Sequence, residues 1–163
     1  MSSQLLFLIY VNADISGDTG SGKSCLIKRY CEQKFVPRYI STIGVDFGVR
    51  GVSVSNSPLE VRINIWDLSG DPEFYDVRNE FYVDTQLMLL VYDVTNPTSF
   101  ENLTAWIREA SNHGCGEPLV KVLAANKVDE PNRMISEQEG RTWAEEYGFL
   151  YYETSAKTGQ NGS

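Results

Sequence analysis

The chain has 163 residues, with 22 acidic against 14 basic side chains and a formal charge of −8. That length supports one domain with a sizeable core, burying roughly 70% of the unfolded surface, and an acidic balance without any Lys/Arg cluster excludes nucleic acid as an expected partner. Three cysteines, Cys25, Cys31 and Cys115, lack metal-ligand spacing and suit reduced thiols in a cytoplasmic protein. The run Leu5 to Val11 is too short to span a bilayer and lacks a preceding basic residue, so neither a membrane helix nor a leader is expected. Gln160-Asn161-Gly162-Ser163 carries no prenylation cysteine, so this chain is expected to have no lipid anchor.

In chain order, the first expected strand has two possible registers. Residues 9–16 form it with Asp14 badly placed, or residues 5–11 form it and a short insert follows; direct strand–loop–helix connection favours the first. Gly17-Asp18-Thr19-Gly20-Ser21-Gly22-Lys23-Ser24 is then a complete G-x-x-x-x-G-K-[ST] loop. Its small residues let backbone N–H groups turn inward around an anion, Lys23 adds a point charge at the β/γ-phosphates, and Ser24 a hydroxyl for Mg²⁺. The helix from Lys23 to about Cys31 turns Leu26, Ile27 and Tyr30 to the core and offers its positive end to the same anion.

Residues 32–44 read as a long loop ending in Ser41-Thr42-Ile43-Gly44, a length usual for functional loops. Val45 to Val54 and Leu59 to Trp66 read as a hairpin around Ser55-Asn56-Ser57-Pro58, closed by Asp67-Leu68-Ser69-Gly70. Pro72 to Asp84 has helical spacing at Phe74, Val77 and Phe81. Leu87 to Tyr92 is a buried strand, a helix follows from about Thr98 with Phe100, Leu103, Ile107 and Ala110 on one stripe, and Leu119 to Ala125 is a strand ending at Asn126. Ser136 to Glu139 is a capping box opening a helix through Tyr147, which Gly148 stops. Phe149 to Glu153 is the last strand. Alternation of this kind predicts an α/β fold, a doubly wound, six-stranded, mostly parallel sheet with one antiparallel hairpin, and its ligand lies beyond the strands' carboxyl ends.

Two patterns at those ends carry chemistry. Asp67 can hold a water on Mg²⁺ and the Gly70 N–H can approach a terminal phosphate, although the four residues alone could be a strand-ending turn. In Asn126-Lys127-Val128-Asp129 the carboxylate can accept from guanine N1–H and its exocyclic amine, a donor pair adenine lacks.

With Ser155-Ala156-Lys157 added, the chain resembles the small GTPases among P-loop NTPases, over almost its whole length. The Rab branch fits best, from Ser41 to Phe47 and Trp66-Asp67. Lys23 to Glu32, Val77 to Tyr82 and Gly148 to Ala156 look like the RBJ type, Rab-like GTPases that usually carry a DnaJ domain. The resemblance implies one G domain over residues 1–163, binding GTP or GDP with Mg²⁺. Gly17 and Thr19 belong to the loop; Gly20, Ser21, Gly22, Lys23 and Ser24 wrap the β-phosphate, and the Cys25 N–H reaches the α-phosphate. Thr42 is a second Mg²⁺ ligand ordered by the γ-phosphate. Phe35 packs beside the base and Tyr39 covers the phosphates, while Asn126, Lys127, Asp129, Ser155, Ala156 and Lys157 surround the base. Effector proteins are expected on residues 35–47 and 66–82, with Phe47, Trp66 and Phe81 as a hydrophobic triad; ordinary packing explains those three rings equally well.

Lys23, Thr42, Gly70 and Asp71 are the expected catalytic set, and two positions depart from the family pattern. Asp71 stands where most members have the water-orienting glutamine, and an ionised carboxylate only accepts hydrogen bonds. Its charge near a polyanion costs roughly 3 kcal/mol per charge pair at about 5 Å and a dielectric near 20, so it is expected to point away, bind a cation or be protonated. Thr19 replaces a usual glycine or serine and crowds the γ-phosphate. The expected function is a GTP-operated switch with slow hydrolysis; the alternative is a GTP-bound interaction module that does no useful chemistry. The family's last helix is expected to be missing, leaving an apolar patch on the sheet.

Overall fold

The computed structural model describes residues 7–33, 42–118 and 120–161. Six strands form one sheet in the order β2-β3-β1-β4-β5-β6: β1 Phe7–Ser16, β2 Val45–Ser53, β3 Leu59–Leu68, β4 Leu87–Asp93, β5 Val120–Asn126 and β6 Leu150–Glu153. The β2–β3 pair is antiparallel and every other pairing is parallel, which is the expected architecture.

β1 runs without interruption into the phosphate loop, so the register that buries Asp14 is the one adopted. Asp14 is 1% exposed, and its Oδ2 pairs with the Thr85 hydroxyl, which also lies 3.0 Å from the Tyr82 carbonyl. β3 extends two residues past Trp66, so Asp67 is a strand residue rather than part of a turn.

β4 is apolar from Leu87 to Tyr92, and its alternate side chains enter two different cores. Leu90 and Tyr92 join Leu68, Tyr82, Leu103, Trp106 and Leu123 on one face; Val91 joins Ile15, Leu26, Ile65 and Ala124 on the other. The first face is covered by α3 Pro97–Glu101, α4 Leu103–Asn112 and α5 Glu137–Tyr147, with the Ser136–Glu139 capping box formed as expected. On the second face lies α1 Lys23–Glu32, beside an apolar groove of about 240 Å³ between Leu26, Ile63, Leu89, Val122 and Tyr152. Leu150 and Tyr152 are about half exposed there.

Residues 72–81 are not one helix. A 3₁₀ turn at Pro72–Phe74, α2 Tyr75–Arg78 and a 3₁₀ turn at Asn79–Phe81 follow one another. The buried face is Arg78, Asn79 and Tyr82, and Val77 is 47% exposed; a charged partner on α4 turns Arg78 inward, against the apolar spacing. No helix among the described residues is long and apolar enough to cross a membrane.

Candidate functional site

The loop between β1 and α1 gathers the polar ends of the parallel strands. Gly20 and Gly22 have φ of +82° and +95°, values that side chains other than glycine disfavour, and a methyl group on Gly22 would strike the Asn126 amide. The Lys23 ammonium is folded back on the loop, donating to the Gly17 and Asp18 carbonyls at 2.8 and 3.0 Å. Burial pulls its pKa down to about 8, opposed by Asp67 and Asp18. The first N–H groups of α1 have no intrahelical partner. They face a pocket of about 50 Å³ lined by Thr19, Gly20, Gly22 to Cys25, Thr42 and Ser69 to Asp71.

Three oxygens meet beside this pocket, at Ser24, Thr42 and Asp67. The Ser24 and Thr42 hydroxyls are 2.7 Å apart, Ser24 donates to Asp67 Oδ2, and Thr42 lies 3.4 Å from the same oxygen. Asp67 Oδ1 is buried with no protein partner, and burial raises the carboxyl's pKa. A hard-oxygen set with an unpaired carboxylate oxygen fits Mg²⁺, which would also hold Asp67 ionised.

Gly70 approaches the phosphate loop so closely that a Cβ would sit 2.6 Å from the Gly17 carbonyl oxygen. Asp71 is turned along its own chain. Its Oδ1 accepts from the Glu73 N–H at 2.9 Å, capping the turn in which Pro72 occupies the first position. Proline fits there because that N–H has no intrahelical use.

On the β5 side of the loop, Asn126 donates to the Ser21 carbonyl at 2.9 Å and accepts from Thr154. Lys127, at φ +66°, donates to the Gly20 carbonyl at 2.7 Å and pairs with Asp93 at 2.9 Å. The Ser155 hydroxyl donates to Asp129 Oδ1 at 2.6 Å. Ser155 and Ala156 are buried, while Asp129 and Lys157 are exposed. Asn126 and Lys127 are thus tied to the phosphate loop by direct bonds.

Sequence reasoning missed Arg29. Six residues after Lys23 on α1, its Nε and Nη2 each donate at 2.8 Å to the carbonyls of Ala156 and Lys157. One helix therefore carries Lys23 at one end and a clamp on the 154–159 loop at the other. Charged hydrogen bonds are worth about 1.5–3 kcal/mol. Arg29→Ala should raise amide exchange across residues 155–159 on the order of tenfold and leave β5 unchanged, read by hydrogen-exchange mass spectrometry; unchanged protection would remove the clamp.

Asp18 also had no expected role. It accepts from Asn102 and from the Trp106 indole N–H, at 2.7 and 2.8 Å, a contact with α4 that no local pattern reveals. Phe35 and Tyr39 lie outside the described residues. The rings of Phe47 and Trp66, opposite one another in the β2–β3 ladder, are 4.5 Å apart, and those of Trp66 and Phe81 5.0 Å.

Comparison with known proteins agrees with this geometry. The Ras family model matches residues 14–163. DnaJ homolog subfamily C member 27 of Gallus gallus is 52% identical over 149 residues, 88% of this chain and 54% of the relative. The Homo sapiens protein of that name is 51% identical, and member 27-A of Xenopus laevis 48%, with the same coverage. The chain spans about half the length of the curated relatives it matches. With a family model covering nearly all of it, the chain belongs to the Ras family of small GTPases.

Proposed function

We propose that this chain is a guanine-nucleotide switch, Rab-like in its surfaces, whose GTP hydrolysis is slow. The observation that carries this reading is the convergence of Ser24, Thr42 and Asp67 oxygens beside the phosphate loop. Ser24 and Thr42 would hold Mg²⁺ directly and Asp67 through water. The ion supplies neutralising charge at the β- and γ-phosphates. Lys23 and the loop N–H groups hold the phosphates, with the Cys25 N–H nearest the α-phosphate. Gly70 offers its N–H to the terminal one, and Asp129, Lys127, Asn126 and the Ser155–Lys157 loop hold guanine. Thr42 bridges Ser24 and Asp67 from a separate segment, which supports it as the residue that reports the γ-phosphate.

Slow turnover is supported by Asp71. Its carboxylate is engaged with Glu73, and an ionised carboxylate has no hydrogen to donate to a developing phosphate charge. The same cap favours the second reading, a GTP-bound interaction module without useful chemistry. Identifying the nucleotide retained on purified protein, together with single-turnover hydrolysis, tests both. Asp71→Gln restores a donor and is expected to raise the single-turnover rate about tenfold; wild type and variant turning over equally fast would sink slow hydrolysis, whereas both staying inert even with an activating protein fraction would favour the module.

Effector proteins would read residues 35–47 and 66–82, within which Phe47 is 49% exposed beside Trp66. The open apolar groove supports a further helix over the second sheet face.

A further inference from the structure

Nucleotide contacts assign no role to Asp93, the last residue of β4, although it is both charged and buried. Its Oδ1 takes two hydrogen bonds, from the Thr95 N–H and hydroxyl at 2.8 and 2.7 Å. Its own N–H donates to the buried Ser99 hydroxyl at 3.0 Å. The carboxylate is thereby fixed in place, with Oδ2 2.9 Å from the Lys127 ammonium. Among the described residues, that ammonium is the cation paired with it, and a buried carboxylate deprived of its cation is strongly destabilised. The sheet supplies the two partners side by side, because Asp93 stands opposite Asn126 in the parallel β4–β5 ladder.

Two side chains cross from the end of β5 to the phosphate loop, Asn126 to the Ser21 carbonyl and Lys127 to the Gly20 carbonyl. They differ in stiffness. Asn126 is short, fully buried and braced by the Thr154 hydroxyl at 3.1 Å. Lys127 has a long flexible stem and a side chain 36% exposed, so it gives up more rotamer freedom to hold one carbonyl. Its brace is Asp93. Without that brace the ammonium keeps a single hydrogen bond to the loop, while bound phosphates compete for its charge. We propose that Asp93 is a positioning residue for nucleotide retention: its carboxylate holds the Lys127 ammonium on the Gly20 carbonyl, so that the phosphate loop and the base loop stay joined around a bound nucleotide. The inference rests on the nucleotide-switch reading, in which Asp93 acts only through Lys127. Asparagine at this position keeps the shape but has one carbonyl, which can serve Thr95 or Lys127 and not both.

Release of a fluorescent GDP from the whole chain, with Mg²⁺ and excess unlabelled GDP present, tests this. Asp93→Asn should speed release about tenfold or more and leave the association rate within about threefold of wild type. A residue that only supports the fold would act whatever stands at position 127, so a double-mutant cycle decides. In a Lys127→Met background, where release is already fast, Asp93→Asn should speed it no further. A tenfold effect in both backgrounds overturns the proposal, as does release from the single Asp93→Asn variant at the wild-type rate. Where Lys127→Met binds too weakly to time, amide exchange of residues 20–24 in the nucleotide-free chain completes the cycle by the same criterion. Amides of β4 and β5 report folding; where Asp93→Asn loses their protection, Thr95→Val, which takes one donor from Oδ1 and leaves the ion pair, decides by the same cycle at about threefold. A chain that binds no guanine nucleotide overturns the switch reading and the retention role with it, whereas a chain that binds but shows no coupling between positions 93 and 127 overturns the role of Asp93 alone.

Discussion

Asp129→Asn is expected to weaken GDP binding by two to four orders of magnitude and to transfer preference to xanthosine diphosphate. Asp129 is exposed, with Oδ1 taking the Ser155 hydroxyl at 2.6 Å. In the proposed function its remaining lone pairs would accept from guanine N1–H and the exocyclic amine. Two hydrogen bonds to a charged group are worth about 3–6 kcal/mol together, which sets the expected loss. Asparagine keeps the shape and the Ser155 contact but turns one acceptor into an N–H donor, which opposes the guanine amine. Xanthine carries a carbonyl in place of that amine, so the new donor finds a partner. Displacement of a fluorescent nucleotide measures both affinities. A variant that binds GDP within about threefold of wild type would mean that Asp129 does not read the base.

The site's backbone was legible in the sequence because its motifs are local. Gly17 to Ser24 determines its own conformation through small residues and a helix start, and Asn126-Lys127-Val128-Asp129 needs only a strand before it. What joins these pieces was not legible, because each joint links residues far apart in the chain. Nothing near Arg29 points to carbonyls at 156 and 157, nothing near Asp18 points to Trp106, and nothing near Arg78 points to Glu109. Of the apolar spacing Phe74, Val77 and Phe81, Phe81 packs on the core while Val77 is exposed, and the spacing did not show that Arg78 is buried, for the same reason. A buried arginine depends on a carboxylate 31 residues away, and periodicity carries no information about it. The half-polar run Val11 to Ser16 looked poor for a central strand, yet it is one, because Thr85, 71 residues on, receives Asp14.

That accommodation is incomplete, and its cost should depend on pH. Asp14 Oδ1 and the Ser16 hydroxyl, on the same face of β1, are buried without protein partners. Burial, partly offset by the Thr85 hydrogen bond, raises the Asp14 carboxyl from 3.8 to about 7. The protonated form suits the site: it can donate to Thr85, whose own hydroxyl then donates to the Tyr82 carbonyl. Between pH 4 and 7 the folded chain keeps a proton that the unfolded chain has released. Stability from this group is therefore whole below about pH 4 and falls as pH rises through 7. At about 1.4 kcal/mol per pH unit, wild type should lose about 2 kcal/mol between pH 5.5 and 7.5. Asp67 shifts in the same direction only without Mg²⁺, which is why Mg²⁺ is kept in the test, whereas Lys23 acts only above about pH 8. Asp14→Leu isolates the term, since leucine branches at the same carbon between Trp66 and Met88, the residues opposite Asp14 in β3 and β4. In urea unfolding with Mg²⁺ and GDP present, the variant should exceed wild type by about 2 kcal/mol or more at pH 7.5. The gap should narrow by about 2 kcal/mol at pH 5.5. A gap that does not change with pH would show that Asp14 stays ionised in the folded chain.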